Sequence, residues 1–344
     1  MKIKGVVIVG IILGSGALLA ENFPVRDSQF SKGNFREGPT LMMTKVMNYK
    51  TVLDTIGNTP IVELKGWSSN PNVTILAKLE GANPGGSIKD RIALYMMFDA
   101  QRRGVLVPGK TLIEATSGNT GIGIAMIAAI MGYTFVAVMP ESASIERRKL
   151  LKAYGADIIL TDAKGGTNYA IEVARKMVKD KPNIYVMLDQ FENPANVLAH
   201  YETTGVEIVR DVPEITHFVA GMGTGGTLMG VGKRLKEYNK DIKVVGVEPR
   251  AGSAVQGLRN MKAYNPPIFN KGSLDRVLNL EDDEKAFTLV KDLFKKEGLS
   301  VGMSSGAALW GALELAKELD HGVIVVIFPD RADKYLHTKL FEWL

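Results

Sequence analysis

Eight short segments built almost entirely of apolar, often β-branched residues recur along the chain from Val73 onward, and amphipathic segments separate them. Continuous apolar runs are typical of parallel strands covered on both faces, whereas half-buried strands alternate apolar and polar residues. The runs occupy residues 73–79, 111–115, 134–139, 157–161, 184–188, 217–221, 243–248 and 322–328. Helices are predicted between them at about 90–103, 120–132, 145–154, 168–180, 198–210, 227–238, 282–297 and 305–318. This order predicts an α/β protein with right-handed crossovers.

The length of 344 residues predicts two domains around one site. In open parallel sheets, ligands bind beyond the carboxyl ends of the strands, so chemistry is expected in the loops that follow the apolar runs. The chain has no cysteine, which excludes disulfides, zinc ribbons, iron–sulfur clusters and a thiol nucleophile. The four histidines are widely spaced and fit no metal-ligand pattern, so no metal is predicted.

The net charge of +5 is concentrated at the amino terminus, because residues 1–46 hold six Lys or Arg and three acids. The remainder has no basic run, so nucleic acid is not an expected partner. Residues 1–20 carry Lys2 and Lys4 and are then uncharged, which predicts a signal peptide or an uncleaved anchor, with 21–46 as a flexible linker. The protein would then be exported or periplasmic. If translation starts at Met47 instead, it would be cytoplasmic, and a membrane is expected as a partner only if 1–20 remain as an anchor.

The loop Gly223–Thr227 follows one predicted strand and opens a helix. Its glycines let backbone N–H groups close on an anion at a helix N-terminus, so a phosphate site is predicted. Two alternatives stay open on the loop alone. The glycines could merely permit a tight turn, or Gly221, Gly223 and Gly226, with Glu248 about 20 residues on, could form a dinucleotide-binding pattern.

Two further loops carry candidate chemistry. Residues 114–121 place four small polar side chains between a strand and a helix, more than capping requires, which indicates a second anion site suited to a carboxylate. Residues 83–91 place Lys89 at the start of a predicted helix. Positive potential there lowers the pKa of a lysine and favours a neutral amine that can form a Schiff base, although a surface lysine in isolation usually only aids solubility.

At these residues the chain resembles the cysteine synthases (O-acetylserine sulfhydrylases), closest to the B type, among the fold-type-II pyridoxal-phosphate enzymes. The similarity extends from about Thr51 to Phe341. Beyond the three loops, the matching motifs are Thr55–Pro60, Lys78–Gly81, Leu188–Phe191 with Asn193–Pro194, His200–Tyr201 with Thr203–Gly205, Gly302–Gly306, and Asp330–Arg331 with Asp333 and Tyr335.

The resemblance implies two three-layer αβα domains with mostly parallel twisted sheets and the cofactor in the cleft between them. The smaller, mobile N-terminal domain would comprise residues 47–59 and 83–193. The C-terminal domain, which would bind the cofactor phosphate, would comprise residues 60–82 and 194–344. A homodimer is expected on the same basis.

The resemblance also implies the roles of the site residues. Lys89 would hold pyridoxal 5′-phosphate as a Schiff base and act as the catalytic base. The cofactor-binding residues would be Lys89, Asn119, Gly223, Thr224, Gly225, Gly226, Thr227 and Ser304. The residues binding the amino-acid carboxylate would be Thr116, Ser117, Thr120 and Gln190. A neutral serine opposite the ring nitrogen moderates the electron sink, which favours β-elimination over transamination.

The implied activity is a β-replacement that makes L-cysteine from O-acetyl-L-serine and sulfide through an α-aminoacrylate. The chain departs from the B type at Val301, where a cysteine is frequent, and at Arg259-Asn260, where an arginine pair is usual. Only Arg259 remains to attract an anionic donor such as thiosulfate, so the sulfur donor stays open. Alternatives on this scaffold are a cysteine desulfhydrase, a cystathionine-forming enzyme and a serine/threonine dehydratase. More distant ones are an NAD-dependent oxidoreductase and a catalytically silent partner-binding protein.

Overall fold

The computed structural model describes residues 50–116 and 118–344, and it contains two separate β-sheets. The strands are β1 (Ile61–Glu63), β2 (Val73–Leu79), β3 (Thr111–Ala115), β4 (Thr134–Pro140), β5 (Asp157–Thr161), β6 (Tyr185–Met187), β7 (His217–Gly221), β8 (Lys243–Pro249), β9 (Arg276–Leu280) and β10 (Gly322–Phe328). The helices are α1 (Lys89–Arg102), α2 (Asn119–Met131), α3 (Ile145–Ala153), α4 (Gly166–Asp180), α5 (Pro194–Ala199), α6 (Gly205–Asp211), α7 (Gly226–Tyr238), α8 (Asp283–Glu297) and α9 (Met303–Ala316).

The four-stranded sheet has the order β5-β4-β3-β6, and all its strands are parallel. Consecutive residues of β3 point into different cores. Leu112 packs with α1 and α2, whereas Ile113 packs with Ala170 and Ile171 of α4. Helices therefore cover both faces, which is why this strand is apolar throughout.

The six-stranded sheet has the order β1-β2-β10-β7-β8-β9, and only β1 runs antiparallel to its neighbour. Along the central strand β10, Ile324 and Val326 pack with α8 and α9, whereas Val325 and Ile327 pack with α6 and α7. This sheet is also the middle of three layers, so the predicted fold class is confirmed. All eight apolar runs form strands, and each predicted helix is present with small shifts at its ends.

Three features were not predicted. Strands β1 and β9 lie at the edges of the larger sheet. Between α5 and α6, residues His200–Thr204 form a π-helical turn within the helix predicted at 198–210.

Several predictions are not tested by the structure. Residues 1–49 lie outside the described part of the chain, and with them the predicted signal segment and linker. The division into domains at 47–59 with 83–193 and 60–82 with 194–344 stays a prediction. Across residues 50–116 and 118–344, none of the helices is both long and apolar enough to cross a lipid bilayer.

Candidate active site

Four helices begin around one cavity. Lys89 is the first residue of α1, Asn119 is the first of α2, and Ser304 is the second of α9. Helix α7 begins within the predicted phosphate loop, and its Thr227 lines the same cavity as Lys89, Asn119 and Ser304. Helix N-termini carry unpaired N–H groups and partial positive charge, so this cavity favours an anionic ligand.

Lys89 is held at the cavity wall by a tight loop. Its backbone N–H donates to Ser87 Oγ at 3.2 Å, and the following Asp90 accepts the N–H of Gly85 at 2.6 Å. Burial lowers the pKa of the Lys89 amine, while the carboxylates of Asp330 and Glu80 partly oppose that change. The pKa shift favours the neutral amine, which is the nucleophilic form that a Schiff base requires.

The loop Gly223–Thr227 leaves β7 and enters α7, as predicted. Gly225 has a φ of +86°, a conformation that strongly favours glycine. A Cβ on Gly226 would lie 1.9 Å from Asn196 Oδ1, so only glycine fits there without displacing Asn196. Thr224 Oγ1 accepts a hydrogen bond from Asn196 Nδ2 at 3.1 Å. The loop therefore presents backbone N–H groups at a helix start, which is the arrangement that holds a phosphate.

The second loop lines an adjoining cavity that Lys89 also reaches, together with Thr116, Thr120 and Gln190. Thr120 Oγ1 donates to Gln190 Oε1 at 2.6 Å. Thr116 Oγ1 accepts the N–H groups of Gly118 and Gly121 at 3.3 and 3.0 Å, so this hydroxyl caps its own loop and keeps its proton available to donate. Ser117, the remaining predicted member, lies outside the described residues.

Asn119 links the cavity to a buried carboxylate. Its Nδ2 donates to Asp330 Oδ2 at 2.7 Å. Its Oδ1 is buried and accepts no hydrogen bond from the residues that the structure describes. A buried acceptor without a partner is costly, so a ligand that donates to Asn119 would relieve an existing penalty.

Arg259 stands at the other side of the adjoining cavity, which Gln190 also lines. Its guanidinium packs over the rings of Phe191 and Tyr264, 4.7 and 4.8 Å from the ring centroids, and it donates to Asn168 Oδ1 at 3.2 Å. The two aromatic rings hold the cation in place without neutralising its charge. Arg259 is therefore close to the predicted carboxylate site and is able to attract an anion.

Three residues at the site were not assigned a role from the sequence. Glu114 was noted only as the start of its loop, and Asp330 only as part of a motif; both are buried and accept hydrogen bonds from site residues. Asn196 gave no signal in the sequence, yet it contacts the phosphate loop. Burial raises the pKa of Glu114 to about 8, Asp189 adds to this rise, and the backbone N–H groups of residues 188–190 oppose it.

The dinucleotide alternative fails on geometry. Glu248, which would have to bind a ribose, is buried; it accepts the N–H of Met261 at 2.8 Å and pairs with Lys271 at 3.0 Å. Its oxygens are thus engaged within the protein. Within residues 50–116 and 118–344, no cluster of three or more His, Cys, Asp or Glu is arranged to hold a metal.

The residues present fit pyridoxal 5′-phosphate. A glycine cradle at the start of α7 suits the phosphate, the Lys89 amine suits the aldehyde, and the buried Oδ1 of Asn119 lacks a partner among the described residues. Ser304 lines the same cavity, and its hydroxyl is neutral, as expected opposite a pyridine nitrogen.

Comparisons with known proteins agree with this geometry. Residues 52–330 match the family model described as pyridoxal-phosphate dependent enzyme. The cysteine synthase of Aquifex aeolicus is 47% identical over 303 residues, which cover 85% of this chain and 92% of that protein. Cysteine synthase B of Pseudomonas aeruginosa is 44% identical over 298 residues, which cover 86% and 99%. The solved structure of an O-ureido-L-serine synthase superposes with a TM-score of 0.82 at 37% identity, over 86% of this chain and 96% of that one.

The family match spans the whole candidate site, from the lysine loop to Asp330, and the two curated relatives share their similarity over nearly their entire length. This chain therefore belongs to the pyridoxal-phosphate dependent enzymes and, within them, to the cysteine synthases.

Proposed function

We propose that this protein makes L-cysteine from O-acetyl-L-serine and sulfide, with Lys89 as the residue that holds the cofactor and moves the proton. One observation supports this assignment more than any other. A lysine with a lowered pKa, a glycine-rich helix start and a carboxylate-binding loop line two adjoining cavities that share Lys89. The dinucleotide alternative leaves the lysine and the second loop without a role.

Pyridoxal 5′-phosphate, when bound, supplies an electron sink that makes Cα of an attached amino acid acidic. The backbone of Gly223–Thr227 would hold its phosphate, and the Lys89 amine would hold its aldehyde. Asn119 would contact the ring hydroxyl, and Ser304 would face the ring nitrogen. A serine leaves that nitrogen without a full counter-charge, which favours elimination at Cβ over transamination.

Lys89 would act as the base at Cα of the bound amino acid. Burial lowers the pKa of the Nζ amine and so favours its neutral form, which would take the proton from Cα while acetate leaves Cβ. Hydrosulfide then adds to Cβ. Lys89 returns its proton to Cα, so the overall change replaces acetate by a thiol and leaves the lysine as it began.

The carboxylate of the amino acid is bound by the loop that begins α2. Thr120, Gln190 and Asn119, the first residue of the helix, line the cavity that Lys89 reaches. Thr116 and Ser117 complete this proposed set. Fixing the carboxylate orients Cα toward the lysine, which is the geometry that proton transfer needs.

Sulfide is the simplest second substrate, and thiosulfate is the anionic alternative that Arg259 would favour. The chain is also similar to an O-ureido-L-serine synthase, and the name of that protein shows that an enzyme with this fold can make a different product. A homodimer and the location of the protein stay predictions, to be tested by light scattering and by cell fractionation with amino-terminal sequencing.

The test combines covalent trapping with a panel of substrates. After borohydride reduction of the cofactor-loaded protein, mass spectrometry should place the pyridoxyl group on the peptide that contains Lys89. O-acetylserine should then give the largest spectral change, ahead of O-phosphoserine, serine and cysteine, and sulfide should reverse that change. A pyridoxyl group on another peptide would contradict the role of Lys89. A faster turnover of cysteine or serine than of O-acetylserine would instead identify a desulfhydrase or a dehydratase.

A further inference from the structure

Glu114 is a fully buried acid near the carboxyl end of β3, outside the set of residues assigned to the reaction. Its Oε2 accepts the N–H of Asp189 at 2.9 Å, and its Oε1 accepts the N–H of Gln190 at 3.0 Å. Residues 189 and 190 follow β6, the strand that pairs with β3 in the sheet. Burying a carboxyl group is costly unless it is well hydrogen-bonded. This cost indicates that the role of Glu114 lies in its hydrogen bonds to the backbone of residues 189 and 190.

The backbone that Glu114 holds is strained. Asp189 has a φ of +52°, in the left-handed region, which is unfavourable for a residue other than glycine. Its carbonyl accepts the N–H groups of Glu192 and Asn193 at 3.0 and 2.8 Å, and its carboxylate pairs with Arg175 at 2.8 Å. Such a conformation persists only where the surroundings fix it, and Glu114 supplies the buried contacts to its N–H and to that of the next residue.

The strained turn directs Gln190 into the site. The Gln190 side chain accepts the hydroxyl proton of Thr120 at 2.6 Å and donates to the Ala115 carbonyl at 3.3 Å. The Gln190 carbonyl accepts a hydrogen bond from Asn196 at 2.8 Å, and Asn196 also donates to Thr224 of the phosphate loop. The two N–H groups that Glu114 binds thus belong to a segment that contacts the carboxylate loop directly and the phosphate loop through Asn196.

We propose that Glu114 is the positioning residue of the subsite for the carboxylate of the first amino-acid substrate. Its two oxygens hold the backbone of Asp189 and Gln190, so that the Gln190 amide stays beside Thr120. This inference rests on the proposed function, because it requires an amino acid whose carboxylate is bound at Thr120 and Gln190. Glu114 thus acts on the substrate only through Gln190.

The chemistry of the contact makes Glu114→Gln the informative variant. Glutamine has the same shape, but its amide has one oxygen, so its NH2 group would face one of the two N–H donors. One buried donor is then left unpaired, which destabilises the turn that carries Gln190. The matched control is Glu248→Gln, which makes the same change at a buried acid that accepts the N–H of Met261 and lines neither cavity of the site.

The experiment titrates cofactor-loaded protein above about pH 8, where Glu114 is ionised. Its ligands are L-alanine, which has no leaving group at Cβ, and ethylamine, which also lacks the carboxylate. For Glu114→Gln the Kd of L-alanine should rise about tenfold, while the Kd of ethylamine and the amount of pyridoxyl-Lys89 stay unchanged. Glu248→Gln should change neither Kd. In a Gln190→Ala background, Glu114→Gln should have little further effect, because the residue through which it acts is gone.

Equal weakening of the binding of both ligands, or an unchanged Kd for L-alanine, would overturn the proposal. If Glu114→Gln does not fold, Glu114→Asp takes its place, since the shorter acid cannot span both N–H groups. Failure of both variants to fold would also overturn it, because Glu114 would then be required for folding rather than for the subsite. Failure of the proposed function is distinguishable, since the unmodified protein would then show no response to O-acetylserine or no adduct at Lys89.

Discussion

At the scale of the residue, the properties that make Lys89 reactive oppose folding. Burial disfavours its charged form, and this lowers its pKa in the folded protein. The unfolded chain exposes the same amine to water, where its pKa is about 10.5. Between the two pKa values the unfolded state binds more protons, so the lysine destabilises the cofactor-free fold most at low pH.

Lys89→Met should therefore raise the urea midpoint of the cofactor-free protein at neutral pH. The gain should shrink as the pH rises toward 10.5, because the unfolded wild-type lysine then also loses its proton. Urea unfolding followed by circular dichroism at several pH values checks this. Lys152→Met, at an exposed position, is the control and should show no such trend. A midpoint that is unchanged or lower at neutral pH would contradict the expectation.

Arg259 permits a test of donor choice. Arg259→Ala should raise the KM for thiosulfate about tenfold, since it removes a charged hydrogen-bond donor, and should change the KM for sulfide much less. Steady-state kinetics with both donors measure the ratio, and the spectral response to O-acetylserine alone serves as the control. Equal loss with the two donors would mean that Arg259 does not select between them.

At the scale of the element, helix starts and strand ends were predicted well and the connections less well. The apolar runs identified the strands that are covered on both faces. The edge strands were not predicted, because β1 has only three residues and β9 has exposed positions at Arg276 and Asn279. The π-helical turn at His200–Thr204 lies against α7, where a Cβ on Gly230 would come within 2.7 Å of His200 Cβ and 2.8 Å of the Tyr201 backbone nitrogen. That close packing depends on a distant helix, so local periodicity could not reveal it.

The start of α7 offers a test of the phosphate loop. Gly226→Ala would place a methyl group on Asn196 Oδ1, and the displaced Asn196 would lose its bonds to Thr224 and Gln190. We expect the Kd for pyridoxal phosphate to rise about tenfold or more, the effect of losing one or two hydrogen bonds at a charged group. Fluorescence titration of the cofactor-free protein measures it. Gly232→Ala, later in the same helix and facing only Val244 at 3.2 Å, should bind the cofactor normally.

At the scale of the whole molecule, a buried network of charges joins segments that are distant in the sequence. Arg91 of α1 contacts Glu80, after β2, at 2.8 Å and Glu207 of α6 at 2.6 Å. Lys78 of β2 also reaches Glu207, at 2.8 Å. Burial raises the pKa of Glu207, but Arg91 and Lys78 more than offset this and lower it to about 2. Glu207 thus stabilises the fold above about pH 4.5, and this contribution is lost as the pH falls toward 2.

Arg91→Met should reduce the free energy of unfolding by about 3–5 kcal/mol, because it leaves two buried carboxylates facing one lysine. The exposed pair of Arg276 and Glu318 is the matched control, and Arg276→Met should change stability by about 1 kcal/mol or less. Chemical denaturation of both variants measures the difference. Similar small losses in the two would show that the buried network contributes little.

The sequence by itself determined the α/β class, the eight covered strands, and the three loops with the chemistry of Lys89 at their centre, because periodicity and residue type act locally. Only the tertiary structure decided which side chains support those loops. Glu114, Asn196 and Asp330 act through contacts with segments far along the chain, which no local pattern encodes. The pKa of Lys89 likewise depends on burial, and burial exists only once the helices have packed around one cavity.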